Sequence, residues 1–206
     1  MFIMLPCVVF PRMSRIHSLL FALGCICLLS SPHTARSALL RHVGDTLTRA
    51  EKIAAWQAIN RDVWQPFSDA YSKSNVGQYL GLHSADFLRV GDGRILKKPE
   101  FMIEQRITFK RWRERSINLT ISFRFTERIA SRSHASERGV FCTTALFKDD
   151  KTGAMKEERY YGQFHVLLRK ERTSWKLTMD YDSDENGTIN EQSFNQAHAL
   201  DAFEKY

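Results

Sequence analysis

The chain has 206 residues, enough for one domain and too few for two ordinary ones. Apolar residues make up 43% and aromatic residues 12% of it, which excludes a disordered or low-complexity chain. The formal charge of +7 is modest and does not by itself point to nucleic acid.

Residues 1–37 hold Arg12, Arg15 and Arg36 and neither Asp nor Glu. An apolar run of eleven residues follows from Leu19 to Leu29, and Ala35 and Ser37 then stand where a signal peptidase needs small side chains. This order reads as a cleavable secretion signal, with Met13 as a second start that opens a more ordinary one. Eleven apolar residues fall short of the about 20 that a spanning helix takes, so no membrane association is expected after cleavage. Leu23-Gly24-Cys25 looks like a lipid-attachment box, but the apolar run continues to Leu29, past the point where a lipidated cysteine ends it. The expected mature chain is residues 38–206, one domain with a polar loop and a helix at its C-terminal end, secreted or periplasmic. The leader takes three arginines and no acidic residue, so +7 becomes +4. It also takes Cys7, Cys25 and Cys27, and Cys142 alone supports neither an internal disulfide nor a cysteine metal site.

Trp56, Ile59, Val63, Phe67 and Ala70 recur at spacings of three and four, one apolar face of a helix. Pro66 lacks a backbone donor and predicts a kink or a restart there. Asn75 caps a short second helix holding Tyr79 and Leu82. Phe87–Ile95 reads as strand, tight turn at Asp92-Gly93, and strand. Pro99 opens another helix through Phe101, Ile103, Ile107 and Trp112. From Ile117 the period becomes two: Ile117, Leu119, Ile121, Phe123 and Phe125 alternate with polar residues, the pattern of a half-buried strand. Further strands follow over Arg138–Phe147, Glu158–Lys170 and Trp175–Asp182. Helices followed by an antiparallel meander predict the α+β class, with N-terminal helices packed on a curved, mainly antiparallel sheet.

Polarity sets the register expected in the last hairpin. Pairing Lys170 with Trp175 places Leu168 opposite Leu177, Val166 opposite Met179 and Phe164 opposite Tyr181. The other face then pairs His165 with Asp180. One face is wholly apolar or aromatic and the other mostly polar, a separation that a one-residue slip destroys.

The segment YYGQFHVLLRKERTSWKLTMDYDS, residues 160–183, closely resembles the last two strands of nuclear-transport-factor-2-like domains of the SnoaL-like group. VWQPFSDAYS at residues 63–72 and YLGLHSADFLRV at residues 79–90 agree with the helices and strand that precede them. The resemblance covers roughly residues 50–183. It implies a cone-shaped, cystatin-like α+β fold with a pocket between sheet and helices, and it allows a homodimer through the sheet. The group holds isomerases, dehydratases, cyclases and non-catalytic binders, so the resemblance does not name a function. Many members carry a histidine on the last strand, on the face of the tryptophan matched here by Trp175. The positions that follow Trp175 on that face read Met179 and Tyr181.

Two functions from different classes follow. The first is a non-catalytic cup that takes a small apolar ligand or a protein partner, lined by Phe164, Val166, Met179, Tyr181 and Tyr79. The second is an isomerase, dehydratase or hydrolase in which Asp180 holds His165 as a general base. Tyr71, Tyr161 and Asp86 are further polar candidates. Asp182, Asp184, Asn186 and Gly187 resemble the start of a calcium loop, but Ser193 stands where the bidentate glutamate belongs, so no metal and no cofactor is expected. Arg106, Lys110, Arg111, Arg113 and Arg115 read as a solvated helix face rather than a nucleic-acid site. Asn118-Leu-Thr and Asn186-Gly-Thr fit glycosylation acceptors.

Overall fold

The structure, a computed structural model, describes residues 47–91, 93–184 and 187–206. The secretion signal expected at residues 1–37, the second start at Met13, Asp92 of the tight turn, and Glu185 and Asn186 of the calcium-like loop lie outside the described residues.

Three helical segments run without a break: α1 (Arg49–Ile59), a π-helical turn (Asn60–Trp64) and α2 (Gln65–Ser72). Thr48 caps α1 in a reciprocal box with Glu51. The α-helix restarts at Gln65, one of the two outcomes expected of Pro66. The missing donor of Pro66 falls in the first turn after the widened π turn, where the helix accommodates it. The short α3 (Val76–Gly81) follows, and Asn75 caps it by accepting a hydrogen bond from the Gln78 amide at 3.1 Å. β1 (His83–Gly91) and β2 (Arg94–Lys97) form a hairpin in which Gly93 takes a φ of +71°, a conformation that disfavours side chains. α4 (Lys98–Glu114) carries Pro99 in its first turn. Phe101 and Phe109 bury its inner face, while Ile103 and Ile107 are exposed.

β3 (Asn118–Ala130), β4 (His134–Lys148), β5 (Met155–Glu171) and β6 (Ser174–Ser183) complete a six-stranded sheet in the order β2-β1-β6-β5-β4-β3. All pairs are antiparallel except β1 with β6, so the sheet is mixed; it is curled but open. The inward residues of β3 are Leu119, Ile121, Phe123 and Phe125, as the alternation predicts. The inward residues of β5 are Phe164, Val166 and Leu168.

The register of the last hairpin departs from the expected one at a single residue. Lys170 pairs with Trp175 and Leu168 with Leu177, as predicted. Thr178 is then an extra residue in β6, and Leu167 pairs with Met179, Val166 with Asp180, His165 with Tyr181 and Phe164 with Asp182. The Thr178 hydroxyl donates to the Leu167 carbonyl at 3.1 Å, which anchors the bulge. One extra residue reverses every face after it. Asp180 and Asp182 therefore turn inward, and Met179 and Tyr181 turn outward.

The core joins the helices to the concave side of the sheet. Trp56, Trp64, Trp175, Phe87, Phe101, Phe109 and Phe125 are each fully buried or nearly so. A polar network runs through it. Glu137 accepts from Trp64 Nε1 at 2.7 Å and from Arg128 Nε at 2.8 Å, and Arg128 also donates to Asn60 and to the Leu200 carbonyl. The chain beyond the short α5 (Glu191–Gln196) closes the β3 edge: Phe125 and His198 exchange backbone hydrogen bonds, and Phe203 and Tyr206 pack on Trp56. Among the described residues no helix is long and apolar enough to cross a membrane.

Candidate functional site

A cavity of about 100 Å³ lies between the concave face of the sheet and helices α2, α3 and α4. Its walls are aromatic. Trp64 and Phe67 come from the long helix, Tyr79 from α3, Phe101 from α4, and Phe123, Phe141 and Phe164 from the sheet. The rings interlock: Trp64 lies 4.6 Å from Phe123 and 5.2 Å from Phe164, and Phe67 lies 5.0 Å from Tyr79, between centroids. Gly162 lets the Phe141 ring lie over the β5 backbone, because a Cβ there would meet Phe141 Cζ at 2.5 Å.

One part of this aromatic lining is charged. Arg89 in β1 stands directly across the parallel pair from Asp180 in β6. Its Nη1 donates to Asp180 Oδ2 at 2.8 Å, and its Nη2 donates to Asp182 Oδ1. Tyr71, Tyr79, Gln105 and Thr143 complete the polar lining.

Burial governs the protonation of these groups. It raises the Asp180 pKa, Arg89 pulls it back, Asp182 pushes it up again, and the carboxyl settles at about 6. Burial also works against the charge on Arg89, but the attraction of Asp180 and Asp182 outweighs it and keeps the guanidinium firmly protonated. Both phenols are pushed up by burial and stay neutral. The arrangement can bind a hydrogen-bonding or charged group at one side of an aromatic cup, and Asp180 can accept a proton near neutral pH.

The expected site residues divide between two faces. Phe164, Val166 and Tyr79 line the cavity, and Asp180 lies within it. Met179 and Tyr181 do not line it, because the Thr178 bulge turns them to the outer face. His165 is not opposite Asp180. It pairs with Tyr181 on the outer face, where its Nε2 meets Ser136 Oγ at 3.0 Å. Partial burial first, and then Arg138, lowers its pKa. The expected catalytic pair is therefore split across the sheet. Asp86 is exposed and held by Arg169 and Ser84. Tyr71 faces the cup, whereas Tyr161 packs against Phe194 of α5. Asp182 is drawn to Arg89 rather than toward the calcium-like loop.

Arg89 is the site residue that the sequence reading missed. Phe87 and Arg89 share a strand face, so a charge two positions from a buried aromatic was the available signal. Asp180 and Asp182, two apart on one strand, were the matching signal from β6.

No family model and no curated protein matches the sequence. Solved structures do match its fold. A candidate scytalone dehydratase from Novosphingobium aromaticivorans DSM 12444 superposes with a TM-score of 0.51 at 14% identity, covering 66% of this chain and 87% of that one. A nuclear-transport-factor-2-like protein from Shewanella oneidensis MR-1 gives 0.47 at 17% identity, covering 66% and 100%. A nuclear-transport-factor-2-like protein with a cystatin-like fold, also from N. aromaticivorans, gives 0.48 at 9% identity, covering 80% and 96%. At such identities the likeness concerns the fold and not the chemistry. A long helix interrupted by a π turn, and two further helices, set on a curled, mixed six-stranded sheet with a cup between them, give this chain the nuclear-transport-factor-2-like fold.

Proposed function

We propose that this domain is a binding cup for a small organic molecule, working outside the cytoplasm after loss of residues 1–37. The observation that carries the reading is the inward-facing cluster of Arg89, Asp180 and Asp182 within a largely aromatic cavity. Burying Asp180 and half-burying Arg89 and Asp182 is costly, and a fold that needed only a core would fill this space with apolar side chains. Apolar walls with a few convergent polar groups are the usual make-up of a ligand site. The ligand therefore has a compact apolar body and one polar end, rather than being apolar throughout.

Ligand-observed NMR with a set of small aliphatic and aromatic fragments tests this. Fragments are expected to bind the unsubstituted chain and to lose binding in Thr143→Phe, which fills the cup from its wall. Equal binding to both proteins, or no binding to either, overturns the reading. N-terminal sequencing of the exported protein tests the location, with Ala38 or a near neighbour expected first. A soluble exported product that retains residues 14–30 overturns it.

A second reading rests on the Asp180 carboxyl, whose pKa of about 6 suits proton transfer. In that case the cup belongs to an isomerase or dehydratase in which Asp180 acts as base and Arg89 positions it. Turnover of the bound fragments, absent in Asp180→Asn, distinguishes that activity from binding alone.

A further inference from the structure

The charges in the cup do not balance. Arg89 is the one cation among its described lining residues, and it faces two carboxylates, Asp180 and Asp182. The other polar residues of the lining are Tyr71 from α2, Tyr79 from α3, Gln105 from α4 and Thr143 from β4. None of these brings positive charge, since burial keeps both phenols neutral. With Asp180 ionised the cup holds a net charge of about −1, screened poorly by water at Asp180 and more at Asp182, whose side chain is 34% exposed. In the neighbouring groove of Arg94 and Glu104 the two charges answer each other at 2.9 Å and add nothing.

The walls favour the same sign. Aromatic faces carry negative π density and attract cations, most strongly when both are desolvated. Trp64, Phe67, Tyr79 and Phe123 all present rings to this space. An anion meets a net negative charge and these faces. A neutral molecule leaves the extra carboxylate without a counter-charge. Size narrows the choice further. A cavity of about 150 Å³ holds benzene, so about 100 Å³ admits a group of roughly four to five non-hydrogen atoms.

We propose that the cup takes a small organic cation, an ammonium or methylated ammonium group, with aromatic rings around its methyl groups and its charge answered by the carboxylate that Arg89 leaves in excess. This rests on the reading of the cup as a binding site and adds the charge of the ligand.

Three probes of similar shape and different charge test it by calorimetry on the full chain: tetramethylammonium, tert-butanol and pivalate. Tetramethylammonium is expected to bind at least tenfold tighter than tert-butanol, and pivalate not at all. Its affinity is expected to fall as the pH drops through about 6, because protonation of Asp180 removes one negative charge. Asp182→Asn is expected to weaken tetramethylammonium at least tenfold and to narrow the gap between it and tert-butanol. Should that variant fail to fold, the three-probe comparison on the unsubstituted chain decides by itself. Equal binding of tetramethylammonium and tert-butanol overturns the cation and leaves the cup. Tighter binding of pivalate overturns it in the opposite sense. Failure of all three probes while other fragments still bind also overturns it, and failure of every fragment overturns the cup as well.

Discussion

His83 shows how a single side chain sets a pH response. It is buried among Tyr79, Phe87 and Phe101, and neither ring nitrogen has a hydrogen-bond partner among the described residues. Burial pushes its pKa from 6.5 down to about 3. The unfolded chain thus binds a proton that the folded chain refuses between those values. Stability is full above pH 6.5 and is lost as pH falls toward 3, by roughly 4–5 kcal/mol at the limit. Asp180 acts in the opposite sense. Its pKa is raised from 3.8 to about 6, so its contribution is present below pH 3.8 and is lost as pH rises through 6. Urea melts between pH 3.5 and 8 are expected to show His83→Leu with a flatter acid side than the unsubstituted chain. Asp180→Asn is expected to show a steeper one. Superimposable curves for all three proteins would remove both assignments.

At the scale of elements, the alternation in β3, the Asn75 cap, the Pro99 start of α4 and the inward face of β5 were all legible, because each depends on near neighbours in sequence. The Thr178 bulge was not. A bulge is decided by two partner strands at once, and β1 answers it with its own irregularity between His83 and Leu88. Polarity segregation favoured an unbroken register because it treated Asp180 and Asp182 as solvent-facing, and Arg89, the residue that makes their burial tolerable, lies about 90 positions away. The site was therefore legible only in part: Phe164, Val166 and Tyr79 could be read as wall and Asp180 as a candidate, and the pairing with Arg89 could not. The Arg128–Glu137 pair belongs to this scale too, since it ties β3 and β4 to the π turn with both side chains fully buried. Glu137→Ala leaves Arg128 without its carboxylate and is expected to cost about 3–5 kcal/mol in denaturant melts. Arg128→Met combined with Glu137→Leu is expected to cost less, because no lone charge stays behind. Trp175→Ala, at a side chain only 1% exposed, is expected to cost about 3–5 kcal/mol. A loss under about 0.5 kcal/mol contradicts its burial.

For the whole molecule, the C-terminal residues act as a clasp. The Leu200 carbonyl accepts from Asn60 and Arg128, His198 pairs with the β3 edge, and Phe203 and Tyr206 cover Trp56. Removing residues 198–206 bares an aromatic surface and strips acceptors from a buried guanidinium. Thermal and urea unfolding are expected to register a loss of at least about 3 kcal/mol. Tryptophan emission is expected to shift to longer wavelength as Trp56 meets water. A truncated chain as stable as the full one would show that the clasp is ornamental.

The parallel seam between β1 and β6 has a consequence in time. Arg89 precedes Asp180 by 91 residues and Asp182 by 93. A ribosome adding roughly 5–20 residues per second releases the guanidinium about 5–18 s before its carboxylates exist. Throughout that interval the first half of the domain can form helices and the β1–β2 hairpin, but it has no floor, no counter-charge and nothing to grip a ligand. Closure of the cup coincides with docking of β6, so the proposed capacity to bind arises in one step, and a nascent chain stopped short of residue 180 is expected to lack it.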